Sequence, residues 1–270
     1  MSMPKGILHF MNIAVFDLET NGITGSSVLS ASSLVFDHDG TLLGLFNRFY
    51  LPQAQDIDPY AARVHGLTLQ RLLALREPLE ASSYFLEDWP DLIEFWESWN
   101  VEGIVVHNLS FDASFLPEIA QSAFQWWCSM KGLTAYCKIP KRPGNFKGGE
   151  KTFKWPRLAE ASDIVCNGPE SLIPPKNTKR IEECVGEGMA HISLYDCFEL
   201  YRIISRIATH RFDLLGFASS VVPFRPPKKH IRSAFKGTKV LVARDNVTAR
   251  ILSYERTLQS LVRGNDSFSG

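Results

Sequence analysis

The sequence lacks net charge: 29 basic side chains offset 29 acidic ones in 270 residues. A strongly basic chain, the usual mark of a duplex binder, is therefore absent on average. It also lacks a long apolar run. The stretch from Gly6 to Phe16 is broken by Asn12 and falls short of the roughly 20 residues that cross a bilayer. No small-residue cleavage site follows it, so neither a membrane span nor a secretory signal is expected. Cysteine is sparse. Cys128, Cys137, Cys166, Cys184 and Cys197 are odd in number and contain no C-x-x-C pair. A disulfide framework is thereby excluded, and a reducing, cytoplasmic setting with thiols packed as small hydrophobes is expected. A zinc set of Cys184, His191 and Cys197 fits no usual ligand spacing. No internal repeat is present, which excludes a solenoid. What remains is 45% hydrophobic and 21% charged. That is a globular composition, long enough to bury a core without staples.

The neutral sum hides segregation. Residues 1–205 hold 17 basic and 25 acidic side chains, a net of −8, whereas residues 206–270 hold 12 and 4, a net of +8. An acidic body with a basic tail keeps nucleic acid open as a partner.

The order of elements predicts an α/β domain with a mixed sheet. Asn12–Leu18 and Val28–Phe36 read as strands, and Thr41–Tyr50 as a third after the turn at His38-Asp39-Gly40. Short helices are expected over 58–64 and 69–75, split by His65-Gly66-Leu67-Thr68. A further helix is expected over 91–99, where Leu92, Ile93, Phe95, Trp96 and Trp99 keep helical spacing. Val101–His107 reads as a strand, followed by a helix capped by Ser110 and running to about Ala123. Residues 138–157 form a basic, flexible loop in which Phe146, Phe153 and Trp155 alternate with lysines. Residues 155–161 look helical, 167–179 are a Pro- and Asn-rich loop, and 188–210 a long helix. Residues 239–254 alternate like one or two strands. The resulting division is a lead over 1–11, a main domain over 12–210 and a small basic extension over 211–270.

Three clusters carry candidate chemistry. In Phe16-Asp17-Leu18-Glu19-Thr20, Asp17 and Glu19 end an apolar strand and point the same way. Two carboxylates so placed repel unless a cation lies between them. A solvated acidic strand end is the plain alternative. In His107-Asn108-Leu109-Ser110-Phe111-Asp112, Asp112 stands in the first turn of a helix, where it also suits the helix dipole. In His191-Ile192-Ser193-Leu194-Tyr195-Asp196, histidine and aspartate are five residues apart. They converge only if the helix begins after His191; otherwise they are a loop histidine and a surface acid.

The order Asp-x-Glu-Thr, Asn-x-x-Phe-Asp, His-x-x-x-x-Asp resembles the DEDDh 3′–5′ exonucleases, the proofreading-type enzymes with a ribonuclease-H-like fold. Val64-His65-Gly66-Leu67-Thr68 and Phe115-Leu116 look like further family segments. The resemblance covers roughly residues 12–205. It departs at Ser193, where the family commonly has alanine, and in the long basic loop and Pro-rich stretch before His191. It implies a mixed β-sheet flanked by helices. It also implies that Asp17, Glu19, Asp112 and Asp196 hold two Mg²⁺ or Mn²⁺ ions, hard cations suited to oxygen ligands. His191 would be the general base, since an imidazole titrates near neutral pH. Thr20, Asn21, His65, Asn108 and Phe111 would contact the substrate. The implied partner is nucleic acid with a free 3′ end, single-stranded ends favoured, and the implied products are nucleoside 5′-monophosphates. The tail over 211–270 would touch DNA, RNA or a protein partner. His107 and His210 read as structural. Two other readings compete. One is a non-catalytic nucleic-acid-binding or polymerase-associated module on the same fold. The other is a haloacid-dehalogenase-type phosphatase, whose Asp-x-Asp-x-Thr or -Val motif Glu19 and Asn21 do not match.

Overall fold

In a computed structural model, the described residues are 11–22, 27–53, 57–76, 82–141, 153–186, 188–189, 191–225 and 245–263. The chain opens as a meander of β1 (Asn12–Thr20), β2 (Val28–Phe36) and β3 (Leu42–Phe49). The β2–β3 turn is set by Asp37, whose Oδ1 accepts from the N–H groups of Asp39 and Thr41, and by Gly40 at φ 76°. Helices α1 (Pro59–His65) and α2 (Leu69–Arg76) follow. Asp58 caps α1 by accepting from the N–H groups of Tyr60 and Ala61, Pro59 opens it, and left-handed Gly66 ends it. Next come α3 (Phe85–Ser98) and β4 (Val101–Val106).

The chain beyond β4 departs from a single long helix. It forms α4 (Leu109–Asp112), a 3₁₀ turn and α5 (Glu118–Ser122). Pro117 is the cause: it holds Leu116 extended, at φ −98° and ψ 140°. Asn108, not Ser110, takes the cap position, and the Ser110 hydroxyl donates to Asn108 Oδ1. Then come β5 (Gln125–Cys128), α6 (Ser129–Gly132), α7 (Thr134–Cys137) and α8 (Leu158–Ser162), the last running into a π-helical turn. Helix α9 (Lys176–Cys184) lies partly within the span expected to be loop. After it come α10 (Ser193–His210), the two-residue β6 (Ala218–Ser219) and α11 (Asn246–Arg263).

The sheet order is β3-β2-β1-β4-β5-β6. The β1–β4 and β4–β5 pairs are parallel and the other pairs antiparallel. This is the expected mixed sheet flanked by helices. Strand β1 is central, and alternate residues enter different cores. Ile13 and Val15 join the layer containing α10 and α11, whereas Ala14, Phe16 and Leu18 join the layer under α3. Burial on both faces explains why β1 reads as a continuous apolar run. Among the described residues, no helix is long and apolar enough to cross a membrane. All five cysteines are free thiols.

The expectation of strands over 239–254 is overturned for its described part, because residues 246–254 lie in α11. Val247, Ile251, Tyr254 and Leu258 recur at helical spacing and win over the apparent alternation. Ile251 and Leu258 are fully buried, and Tyr254 meets the rings of Tyr195 and Phe198 on α10. Residues 246–263 thus pack on the core shared with the sheet. Leu258→Ala should therefore cost about 2–5 kcal/mol in urea unfolding. A loss under about 0.5 kcal/mol, as at a surface position, would contradict this packing.

Candidate active site

Asp17 and Glu19 continue the row Ile13–Val15 on the α10 side of β1. Across the antiparallel ladder they stand opposite Ser32 and Ser30. These serines are small and fully buried, and they let α10 approach closely. The Ser193 hydroxyl bonds those of Ser30 at 2.9 Å and Ser32 at 2.7 Å. Cys197 Sγ reaches the Ser32 carbonyl at 3.0 Å. The departure from alanine at Ser193 thus has a physical account: its hydroxyl is bonded within a row of serines.

Helix α10 begins after His191. Ile192 holds the cap position in an extended conformation, and His191 is left-handed at φ 62°. That turn folds the histidine back over the first helical turn. The His191 N–H donates to the Asp196 carboxylate at 3.2 Å. One donor atom each from Glu19, His191 and Asp196 lie within 4.8 Å of one another. Asp112 arrives from α4 and is buried at 4% exposure. Backbone N–H groups of Asp112 itself, Leu18 and Asn108 lie close enough to its carboxylate to favour the ionised form.

The electrostatics are those of crowded, dehydrated acids. Burial pushes the Asp17 carboxyl well above the usual range, and Asp112, Asp196 and Glu19 push it further. Glu19 is raised to about 8 by burial, then by Asp196 and Asp112. Burial raises Asp112 to about 7 against these backbone N–H groups, with Asp196 adding to the rise. Burial likewise raises Asp196 to about 7, with Glu199 adding and the His191 N–H opposing. Asp17 Oδ2 is buried and accepts no hydrogen bond among the described residues. An unpartnered acceptor amid mutually repelling carboxylates is what a site for hard cations requires.

The other anticipated residues fall into place differently. The Thr20 hydroxyl donates to the Gly22 carbonyl at 2.6 Å. Asn21 Oδ1 accepts from the Ser27 N–H at 2.7 Å, and its carbonyl from the Asp58 N–H at 3.1 Å. His65 is buried. Its Nδ1 accepts from the Leu67 N–H, so Nε2 donates to the Thr20 carbonyl, and burial lowers its pKa. Asn108 occupies the α4 cap, and Phe111 packs edge-on against Phe115. These positions border the acids, and much of their polar capacity is spent on the chain itself. His107 bonds Ser129 Oγ and the Pro156 carbonyl, and His210 bonds the Ile173 carbonyl. Phe146 and the lysines at 147 and 151 lie outside the described residues. Three contributors were not singled out in the sequence. The Leu18 N–H is a backbone group without a sequence signature. Ser30 and Ser32 had one in the run Ser30-Ala31-Ser32-Ser33 inside an apolar strand.

No protein-family model and no curated relative matches the sequence. Solved structures do. One is a 3′-exonuclease described for 3′-end-specific recognition of a histone mRNA stem-loop, with 12% identity and a TM-score of 0.51, covering 82% of this chain and 75% of that one. Another is E. coli exonuclease I in complex with a dA16 oligonucleotide, with 14% identity and a TM-score of 0.45, covering 76% of this chain and 42% of that one. Cell-death related nuclease 4 matches at 13% identity and a TM-score of 0.43, over 79% and 67% of the two chains. The chain thus spans under half the length of exonuclease I. At these identities the likeness is one of fold, an α/β architecture shared with a 3′-exonuclease.

Proposed function

We propose that this protein is a metal-dependent 3′–5′ exonuclease acting on DNA or RNA, single-stranded ends favoured, and releasing nucleoside 5′-monophosphates. One observation carries the reading. Four acids from three elements, Asp17, Glu19, Asp112 and Asp196, are drawn into one dehydrated site beside His191, although burial makes every one of them harder to ionise and Asp196 and Asp112 make Asp17 and Glu19 harder still. A fold alone has no use for that arrangement, and the cost recurs in every copy. The shared fold with a 3′-exonuclease supports the polarity.

The four carboxylates would hold two Mg²⁺ or Mn²⁺ ions. Bound there, the ions supply charge compensation and Lewis-acid activation for phosphodiester hydrolysis. The protein's own residues then have distinct work. The acids repel phosphate until they are neutralised, so bound metal strengthens the hold on the 3′ end, while contacts outside the acids bind the strand without it. His191, exposed beside Glu19 and Asp196, takes a proton from the attacking water. The Asp196–His191 backbone bond fixes where that imidazole starts. His65, held neutral by burial, keeps the end of β1 in place.

The test is a panel of 5′-labelled DNA and RNA, single- and double-stranded, digested with and without Mg²⁺ or Mn²⁺. Stepwise shortening from the 3′ end, stopped by chelator, is expected. His191→Ala should lower the rate by about 100-fold or more while single-strand binding persists. Strand binding with no shortening under any metal would instead favour the non-catalytic module.

A further inference from the structure

Trp155 is 59% exposed, an unusual setting for the largest side chain in a protein that buries Trp96 and Trp126 completely. The ring does not hang on a loose segment. Phe153 pairs with Pro140 in an isolated bridge, and the Lys154 N–H donates to the Ile139 carbonyl at 2.9 Å. Lys154 Nζ is paired with Glu160 at 2.6 Å. Pro156 is buried, and its carbonyl accepts from His107 Nε2 at 3.1 Å. The backbone on both sides of the tryptophan is therefore anchored while its ring faces solvent. Lys131 on α6 lies over that ring, with Nζ 5.8 Å from the centroid. Lys138 and Arg157 are exposed nearby in the chain.

Topology sets this ring at the end of the sheet that carries the acids. Strands β1, β4 and β5 are parallel. Continuing the register two residues past Val15–Val105 brings the chain at His107 level with Asp17. One residue past Val106–Cys128 reaches Ser129, which bonds the same histidine, and α6 starts there. His107 thus links the strand end beside Asp17 to Pro156, the neighbour of Trp155, and Ser129 links it to the helix carrying Lys131. A rigid aromatic face with a cation over it, beside a site for phosphodiesters, has the features that hold single strands. The face stacks a base of any sequence, and the cations follow the phosphates.

We propose that Trp155 and Lys131 form a stacking platform for a nucleobase of a single-stranded nucleic acid whose 3′ end lies at the carboxylates. The second half of that statement rests on the exonuclease reading; the platform itself does not. The test uses the full chain in chelator, so that no strand is consumed, and anisotropy of a labelled 20-nucleotide DNA beside an abasic strand of the same length. The native protein should prefer the base-bearing strand by about tenfold. Trp155→Ala should bring that ratio close to one, and Trp155→Phe should restore most of it. A merely structural tryptophan would weaken both strands alike and leave the ratio unchanged, which overturns the platform. So does a native protein that binds the two strands equally. Base preference in a protein that shortens no strand with metal would sink the exonuclease reading and leave the platform standing.

Discussion

Asp17→Ala is expected to lower 3′-end trimming by on the order of 1,000-fold, with no compensating gain at higher Mg²⁺ or Mn²⁺. Asp17 is the acid most deeply entangled with the others: Asp112, Asp196 and Glu19 all raise its pKa, and its Oδ2 is buried without a donor among the described residues. No neighbouring carboxylate can take its place, because Glu19 is two residues further along the strand and Asp112 arrives from α4, with backbone N–H groups of its own around it. The same geometry predicts that the variant folds. Asp17 accepts nothing at Oδ2, so truncation there strands no donor on that side and relieves repulsion among three remaining acids. Loss of activity together with unchanged or higher thermal stability in metal-free buffer is the diagnostic pair. Trimming that persists near the native rate would defeat the assignment of the acids, and a melted variant would mean that Asp17 serves the fold.

Much of the site was legible because its acids sit where secondary structure ends. Asp17 and Glu19 share a strand face by alternation alone, and the Gly66 and Gly40 breaks marked the neighbouring turns. His191 and Asp196 were ambiguous because five residues along one helix would part them. The ambiguity is resolved by a left-handed residue and an extended cap, features of backbone geometry that no residue type there demands. Strand β5 was invisible for a related reason. Gln125-Trp126-Trp127-Cys128 is four residues long, too short for a period, and its place is fixed by pairing with β4. The break at Leu116 should have been read, since Pro117 disfavours helix in the residue before it. At α11 the alternation over residues 239–254 suggests strands, and the helix over its described part wins. The helical spacing from Val247 to Leu258 becomes evident only when the window extends past Tyr254.

The crowded acids also predict an unusual pH dependence of stability in the metal-free protein. Glu19 moves from 4.5 to about 8, Asp112 and Asp196 from 3.8 to about 7, and Asp17 upward as well. A carboxyl whose pKa is higher in the folded state stabilises fully below its unfolded value, near pH 4, and loses that contribution as pH rises through the folded value. Each unit is worth about 1.4 kcal/mol. Between pH 5 and pH 8.5 the site should therefore remove on the order of several kcal/mol, a fall in Tm of roughly 10 °C for a chain of this size. Among the described groups outside the site, Glu255 is raised by burial and acts in the same sense. Glu160, held at about 2 by the Arg157 N–H and Lys154, and Asp245, held low chiefly by Arg71, finish titrating below this window. His65 and His107, lowered by burial, act in the opposite sense, since keeping them neutral stabilises as pH rises. Asp17→Ala retains both histidines, so the difference between its melts and those of the native protein isolates the acids. That difference should be small at pH 5 and grow toward pH 8.5 in favour of the variant. Mg²⁺ or Mn²⁺ should raise the native Tm at pH 8.5, raise it little at pH 5, and do less for the variant at either pH. Metal-free curves that run parallel across the window would mean that the acids are hydrated and independent, and the case for a cation site among them would fall with that result.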